Sequence, residues 1–164
     1  MAELTNLEAK LGEVLGLAMA AQAATAAVKG MLGEDERSLA EKLDQMHEEA
    51  AETEQRCTEV AGDFEGKKTA ILEQAREVKG EAGVMMKTYL ADDPDALDGF
   101  EFLTMAEAGE VGHWSIVRTF NERARIDAVD QLVDWALPIQ ERHLRTVLAG
   151  SLELAANEDP NGPA

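Results

Sequence analysis

The sequence has few residues that break helices, cross-link the chain or favour β-sheet. Aromatic residues make up 4% of its 164 residues, and the four prolines begin only at Pro94, so the first half has no proline break. The single cysteine, Cys57, excludes an internal disulfide, and we therefore expect a reducing, cytoplasmic location. Cys57 also falls on an apolar stripe, which favours an inert buried thiol over a nucleophile.

Basic residues are too few for binding to nucleic acid. The chain has 15 Lys and Arg against 33 Asp and Glu, a formal charge of −18, whereas phosphate backbones are bound by clustered cations that displace counterions. The same charge disfavours an anionic membrane surface. The uncharged run 14–28 is shorter than the roughly 20 residues that span a bilayer and predicts a central, closely packed helix. We expect no nucleic-acid or membrane partner, and a surface that is either simply soluble or recognised by a protein partner.

The abundant residues are alanine, leucine and glutamate, which favour helix at nearly every position. Apolar positions recur at steps of three and four residues, the period of an α-helix. The predicted helices cover about 3–31, 34–62, 67–90, 95–124 and 127–156. Short connections make consecutive helices antiparallel neighbours. We therefore predict one all-α domain over 1–156 and a flexible tail over 157–164, with a kink or break at Pro138.

Two histidines fall on the apolar stripes of the last two predicted helices. Glu110 and His113 have the i, i+3 spacing by which one bundle helix offers two ligands to an ion. Gln140 and His143 repeat this spacing, with a neutral amide in place of the carboxylate. Two interpretations stay open: a metal site, or a hydrogen-bonded polar cluster in the core that needs no metal. A flat cofactor stacked near tryptophan is a third and weaker interpretation.

Three short segments are similar to a known family. Asp95-Ala96-Leu97-Asp98 opens a helix, His113-Trp114 follows, and Ala51-Glu52-Thr53-Glu54-Gln55 lies in the second helix. With these segments the chain resembles the ferritin-like superfamily, nearest the YciE/YciF branch of bacterial stress proteins. The resemblance implies a ferritin-like antiparallel four-helix bundle with an additional helix, iron or manganese inside it, and self-association as a homodimer.

The metal ligands of that family are only partly matched. Gly112 and Ser115 replace two glutamates, Ala51 replaces a third, and Gln140 stands where a fifth-helix glutamate is expected. The resemblance leaves four candidate metal ligands: Glu54, Glu110, His113 and His143.

The predicted function is therefore a bacterial stress-response-type protein with a degenerate or altered metal site, and oxygen or peroxide chemistry if iron or manganese is bound. The alternative is a non-catalytic acidic interaction or scaffold protein with a metal-free polar core. The sequence leaves open whether the protein is an enzyme.

Overall fold

The computed structural model describes residues 2–162, and the described chain is helical. Five α-helices follow one another, and a short 3-10 helix, Glu34–Glu36, precedes the second of them. The α-helices are α1 (Asn6–Lys29), α2 (Arg37–Gly62), α3 (Lys68–Tyr89), α4 (Ala96–Ala124) and α5 (Asp127–Ala156). The all-α prediction is confirmed, and each predicted helix agrees with an observed one to within a few residues.

Two capping boxes fix the starts of α1 and α4. Thr5 Oγ1 accepts a hydrogen bond from the Glu8 N–H at 3.3 Å, and the Glu8 carboxylate accepts one from the Thr5 N–H at 2.7 Å. Asp95 and Asp98 make the same reciprocal pair at 3.0 Å before α4. Each box satisfies two backbone donors that a helix N-terminus would otherwise leave unpaired.

The central helix is α1, which contacts α2, α3 and α4. An 18-residue window of α1 is long and apolar enough to cross a membrane by length and composition, with a mean hydropathy of 1.4, yet 56% of that window is buried inside the protein. A helix surrounded by other helices needs apolar residues on most of its sides. The burial of α1 agrees with the central position predicted from the uncharged run 14–28.

The other helix contacts order the chain around α1. Helix α2 also packs on α5, α5 packs on α4, and α3 packs on α1 and α2. Two glycines allow the backbones of α1 and α3 to approach closely. A Cβ atom at Gly12 would lie 2.9 Å from the carbonyl oxygen of Ile71, and one at Gly16 would lie 2.9 Å from Cβ of Val78. Larger residues at either glycine would push α3 away from α1.

The C-terminal part differs from the prediction at Pro138, and the predicted tail is only partly described. Helix α5 runs unbroken through Pro138, which lies on its exposed side, so the predicted break does not occur. Residues 157–162 are exposed and contain turns. Residues 163–164 of the predicted flexible tail, and Met1 of the predicted domain, lie outside the described residues.

Candidate polar centre and ligand cavity

The buried face of α4 is displaced from the predicted one. Glu110 is buried as expected, but Trp114 is fully buried and the side chain of His113 is 35% exposed. The buried positions in the middle of α4 are Leu103, Glu107, Glu110, Trp114, Val117 and Asn121. The prediction that His113 faces the core was wrong, because burying the large apolar Trp114 is worth more than burying an imidazole. In the helical phase that buries Trp114, Glu107 also lies in the core.

A buried network centred on His143 joins α2, α4 and α5. His143 Nε2 lies 2.5 Å from Glu49 Oε2, and His143 Nδ1 lies 3.6 Å from Glu107 Oε2. Gln140 Nε2 donates to Glu107, and Arg142 Nη2 donates to Glu49 Oε1 at 2.9 Å. Of the polar cluster predicted for Gln22, Gln140 and the histidines, the part around His143 and Gln140 is present, with two glutamates that the sequence did not identify. Gln22 and His113 pair elsewhere, with Glu54 and Glu13.

Opposite charges are matched within this network. Burial by itself would lower the pKa of His143, but the carboxylates of Glu107 and then Glu49 outweigh burial and raise that pKa. Burial would raise the pKa of Glu49, but its hydrogen bonds with Arg142, His143 and Gln45 lower it. The imidazolium is thus favoured between two carboxylates, and a guanidinium supports one of them.

Glu110 is the buried carboxyl group that this network does not include. It is 5% exposed, and no side chain among residues 2–162 forms a hydrogen bond or an ion pair with it. Burial, followed by the charge of Glu107, raises the pKa of Glu110 well above its ordinary value. Burial and then Glu110 also raise the pKa of the fully buried Cys57 thiol, which agrees with its predicted inertness.

A cavity of about 300 Å³ lies between α1, α3 and α4 and ends at Glu107 and Glu110. We call Glu110 and the network around His143 together the polar centre. Its walls are largely apolar, with alanines from α1, Met85 and Met86 from α3, and Phe102 from α4. Exposed Lys79 and Met85 border the cavity and mark its outer side. The buried Glu107 and Glu110 lie at its inner end. The cavity is therefore an apolar pocket with carboxyl groups at its base.

Only two of the four predicted metal ligands lie at the polar centre. Glu110 and His143 are both neighbours of Glu107. Glu54 instead accepts a hydrogen bond from Gln22 Nε2 at 2.5 Å. Within residues 2–162, no three His, Cys, Asp or Glu side chains are grouped so that they could hold a metal ion. Metal binding by the four residues stays a prediction.

His113 lines the cavity but forms no contact with the His143 network. Its Nδ1 is 3.0 Å from Glu13 Oε2, and Lys10 lies 3.5 Å from the same nitrogen. The two tryptophans do not line the cavity. Trp114 is fully buried in the core, and the Arg56 guanidinium lies 4.2 Å from the ring centroid of Trp135. A flat cofactor stacked near tryptophan stays a prediction.

No protein-family model, curated protein or solved structure matches this chain. The resemblance to the ferritin-like superfamily therefore stays a prediction, and the functional argument rests on the geometry of the cavity and of the polar centre.

Proposed function

We propose that the protein binds a small, mainly apolar molecule in the cavity between α1, α3 and α4, and that its polar centre operates without a metal. The observation that carries this proposal is the apolar cavity of about 300 Å³ with Glu107 and Glu110 at its base. Small-molecule sites are typically concave, apolar and about 300–1,000 Å³, with a few polar groups that orient the ligand. The proposed activity is binding, in keeping with the non-catalytic alternative drawn from the sequence.

The charge balance of the polar centre supports a metal-free core. His143 stands between Glu49 and Glu107, and Gln140 and Arg142 donate to the same two carboxylates. Buried carboxylates that are paired and hydrogen-bonded need no further cation. The network then acts as a fixed inner wall for the cavity.

The ferritin-like architecture belongs to the same proposal. Contacts run from α1 to α2, from α2 to α5, from α5 to α4 and from α4 back to α1, and α3 is added against α1 and α2. This order is compatible with a four-helix bundle plus one helix. Gln22 and Gln140 are neutral where a two-metal bundle site would use carboxylates, which supports a degenerate site. Self-association and an acidic-surface partner remain predictions from the sequence.

A neutral apolar dye tests whether the cavity binds ligands. Ala20 lines the cavity, whereas Ala27 is exposed on the same helix and does not. We expect N-phenyl-1-naphthylamine fluorescence to increase with the wild-type protein and with Ala27→Phe, but not with Ala20→Phe, whose ring fills the pocket. Equal binding by both variants, or no binding by the wild type, would contradict the proposal. Circular dichroism of each variant shows whether the fold is kept.

A second candidate function is the binding of one transition-metal ion, iron or manganese, at the same centre. Glu107 Oε2 and His143 Nδ1 are 3.6 Å apart, close to the roughly 3.4 Å between two ligands of one ion at bond lengths near 2.1 Å. Glu49 accepts the Nε2–H of His143, an arrangement that fixes the ring of a metal-bound histidine. The third ligand would be Glu110, which would have to move, because no three such side chains among residues 2–162 are grouped to hold an ion. Bound iron or manganese would supply oxygen or peroxide chemistry.

Metal analysis separates the two candidates. The protein is purified without chelator, incubated with Fe²⁺ or Mn²⁺, and compared with His143→Gln and with Glu101→Gln, which changes an exposed glutamate of α4. The metal function predicts close to one equivalent in the wild type and in Glu101→Gln, and loss in His143→Gln. Less than about a tenth of an equivalent in all three would eliminate it, because sites with three protein ligands bind far more tightly.

A further inference from the structure

The base of the cavity contains a carboxyl group without a partner. Glu110 lines the cavity, is 5% exposed, and has no hydrogen-bonding or ion-paired side chain among the described residues. Buried polar groups in proteins are nearly always satisfied, and an exception points to a ligand, an ion or water. The same cavity offers apolar walls immediately beside this group.

No cation of the protein forms an ion pair with Glu110 among the described residues. His143 is already engaged by Glu49 and Glu107. His113 also lines the cavity, but its ring pairs with Glu13 at 3.0 Å, and Lys79 lies exposed at the border of the cavity. The charged groups that act on Glu110, or on which it acts, are Glu107 of α4 and Cys57 of α2, neither of which carries a positive charge. The base of the cavity is therefore complementary to positive charge and repels anions.

We propose that the ligand of this cavity is an organic cation, an ammonium group on an apolar chain, with its charged end against Glu110 and its chain along the alanine and methionine walls. This inference rests on the proposed function, since it names the ligand class of the same cavity. The cation gives Glu110 the partner that it lacks, and the chain removes apolar wall from water. A neutral ligand of the same shape would remove apolar wall from water but would leave Glu110 without a charged partner.

Three probes of equal chain length test the ligand class by isothermal titration calorimetry: hexylamine, hexanol and hexanoate. We expect hexylamine, as its ammonium ion, to bind at least about ten-fold more tightly than hexanol, a ratio typical of one charged buried contact. Hexanoate should bind more weakly than hexanol.

Glu110→Gln removes the charge and keeps the shape of the side chain. We expect it to weaken hexylamine binding at least about ten-fold and to leave hexanol binding within about two-fold. Glu101→Gln is the matched control, because this exposed glutamate lies on α4 outside the cavity wall, and it should change neither affinity. If Glu110→Gln does not fold, the relative affinities of the wild type for hexylamine, hexanol and hexanoate still decide the question.

The outcomes separate the inference from the function on which it rests. Equal affinity of the wild type for hexylamine and hexanol would overturn the cationic ligand and leave the apolar cavity as a binding site. Failure of hexanol, hexylamine and the neutral dye to bind would overturn the proposed function itself. Preference for hexylamine that Glu110→Gln abolishes supports both.

Discussion

At the scale of single residues, His143 is the position where burial and charge oppose each other most directly. The ring is 4% exposed, an environment that disfavours an imidazolium, yet two carboxylates from different helices approach its two nitrogens. Removing one member of such a buried set leaves the others as uncompensated charges. The stability of the protein should therefore depend on His143 more than on its other histidines.

The first prediction concerns His143→Gln. We expect a loss of about 3 kcal/mol in the free energy of unfolding near pH 6. The raised pKa of His143 makes its contribution complete below the unfolded value of about 6.5, and the contribution is lost as pH rises through the folded pKa. Urea unfolding should therefore show a smaller loss near pH 9 than near pH 6. Equal losses at the two pH values would contradict this assignment.

The control is His113→Gln, which changes a histidine at the surface. Its contact with Glu13 is partly exposed, and surface ion pairs contribute about 0–1 kcal/mol. We expect a loss of no more than about 1 kcal/mol near pH 6.

Glu110 should affect stability with the opposite sign. Its folded pKa lies well above its ordinary value, so the unfolded chain ionises first and becomes favoured as pH rises above about 4.3. Glu110→Gln should therefore gain stability relative to the wild type as pH is raised from about 4 to about 8. Urea midpoints across this range measure the gain, with Glu101→Gln as the comparison. A difference between variant and wild type that stays constant with pH would count against a buried, protonated Glu110.

At the scale of helices, glycine placement distinguishes tight packing from open surface. Gly16→Ala should destabilise the protein by roughly 1–3 kcal/mol, because the new Cβ meets the Ala75 carbonyl and Val78 of α3. Gly80→Ala, in α3 with no neighbour within 4 Å, should stabilise it by up to about 1 kcal/mol. Thermal and urea unfolding of both variants measure the changes. A gain from Gly16→Ala would show that α1 and α3 do not approach as closely as described.

Local sequence signals were sufficient to predict where the helices lie, but not which face of each helix is buried. The three-four period and the breaks near Gly62 and Pro94 predicted five helices, because these signals depend only on neighbouring residues. In α4 two phases competed, one through His113 and one through Trp114. The phase through Trp114 also contains Glu107, and its steps of four and three residues were the signal that could have identified that glutamate.

Long side chains explain the remaining omissions at the polar centre. Glu49 precedes the buried Ala50 on α2 and is only partly buried, yet its carboxylate reaches His143 on α5. Such a contact depends on which helices pack against each other, and the periodicity along one helix does not contain that information. The cavity was missed for the same reason, since three helices form its walls.

At the scale of the whole molecule, the dominant property is uncompensated negative charge. The formal charge is −18, and the described ion pairs with Lys or Arg include Lys29 with Asp44, Arg56 with Glu52 and Arg118 with Asp134. Such exposed pairs contribute little individually. Most acidic side chains therefore repel one another across the surface, and this repulsion favours the expanded, unfolded chain.

Salt should accordingly stabilise the fold. Raising NaCl from about 10 mM to about 150 mM shortens the Debye length from about 30 Å to about 8 Å and screens most of the surface repulsion. We expect the urea midpoint to rise, with a gain on the order of 1 kcal/mol. Three substitutions at exposed glutamates of α4 and α5, Glu101→Gln, Glu122→Gln and Glu153→Gln, remove three of the negative charges. They should raise stability at low salt and reduce the response to NaCl. If the triple variant responds to NaCl as strongly as the wild type, the stabilisation comes from ion binding at particular sites and not from screening of the net charge.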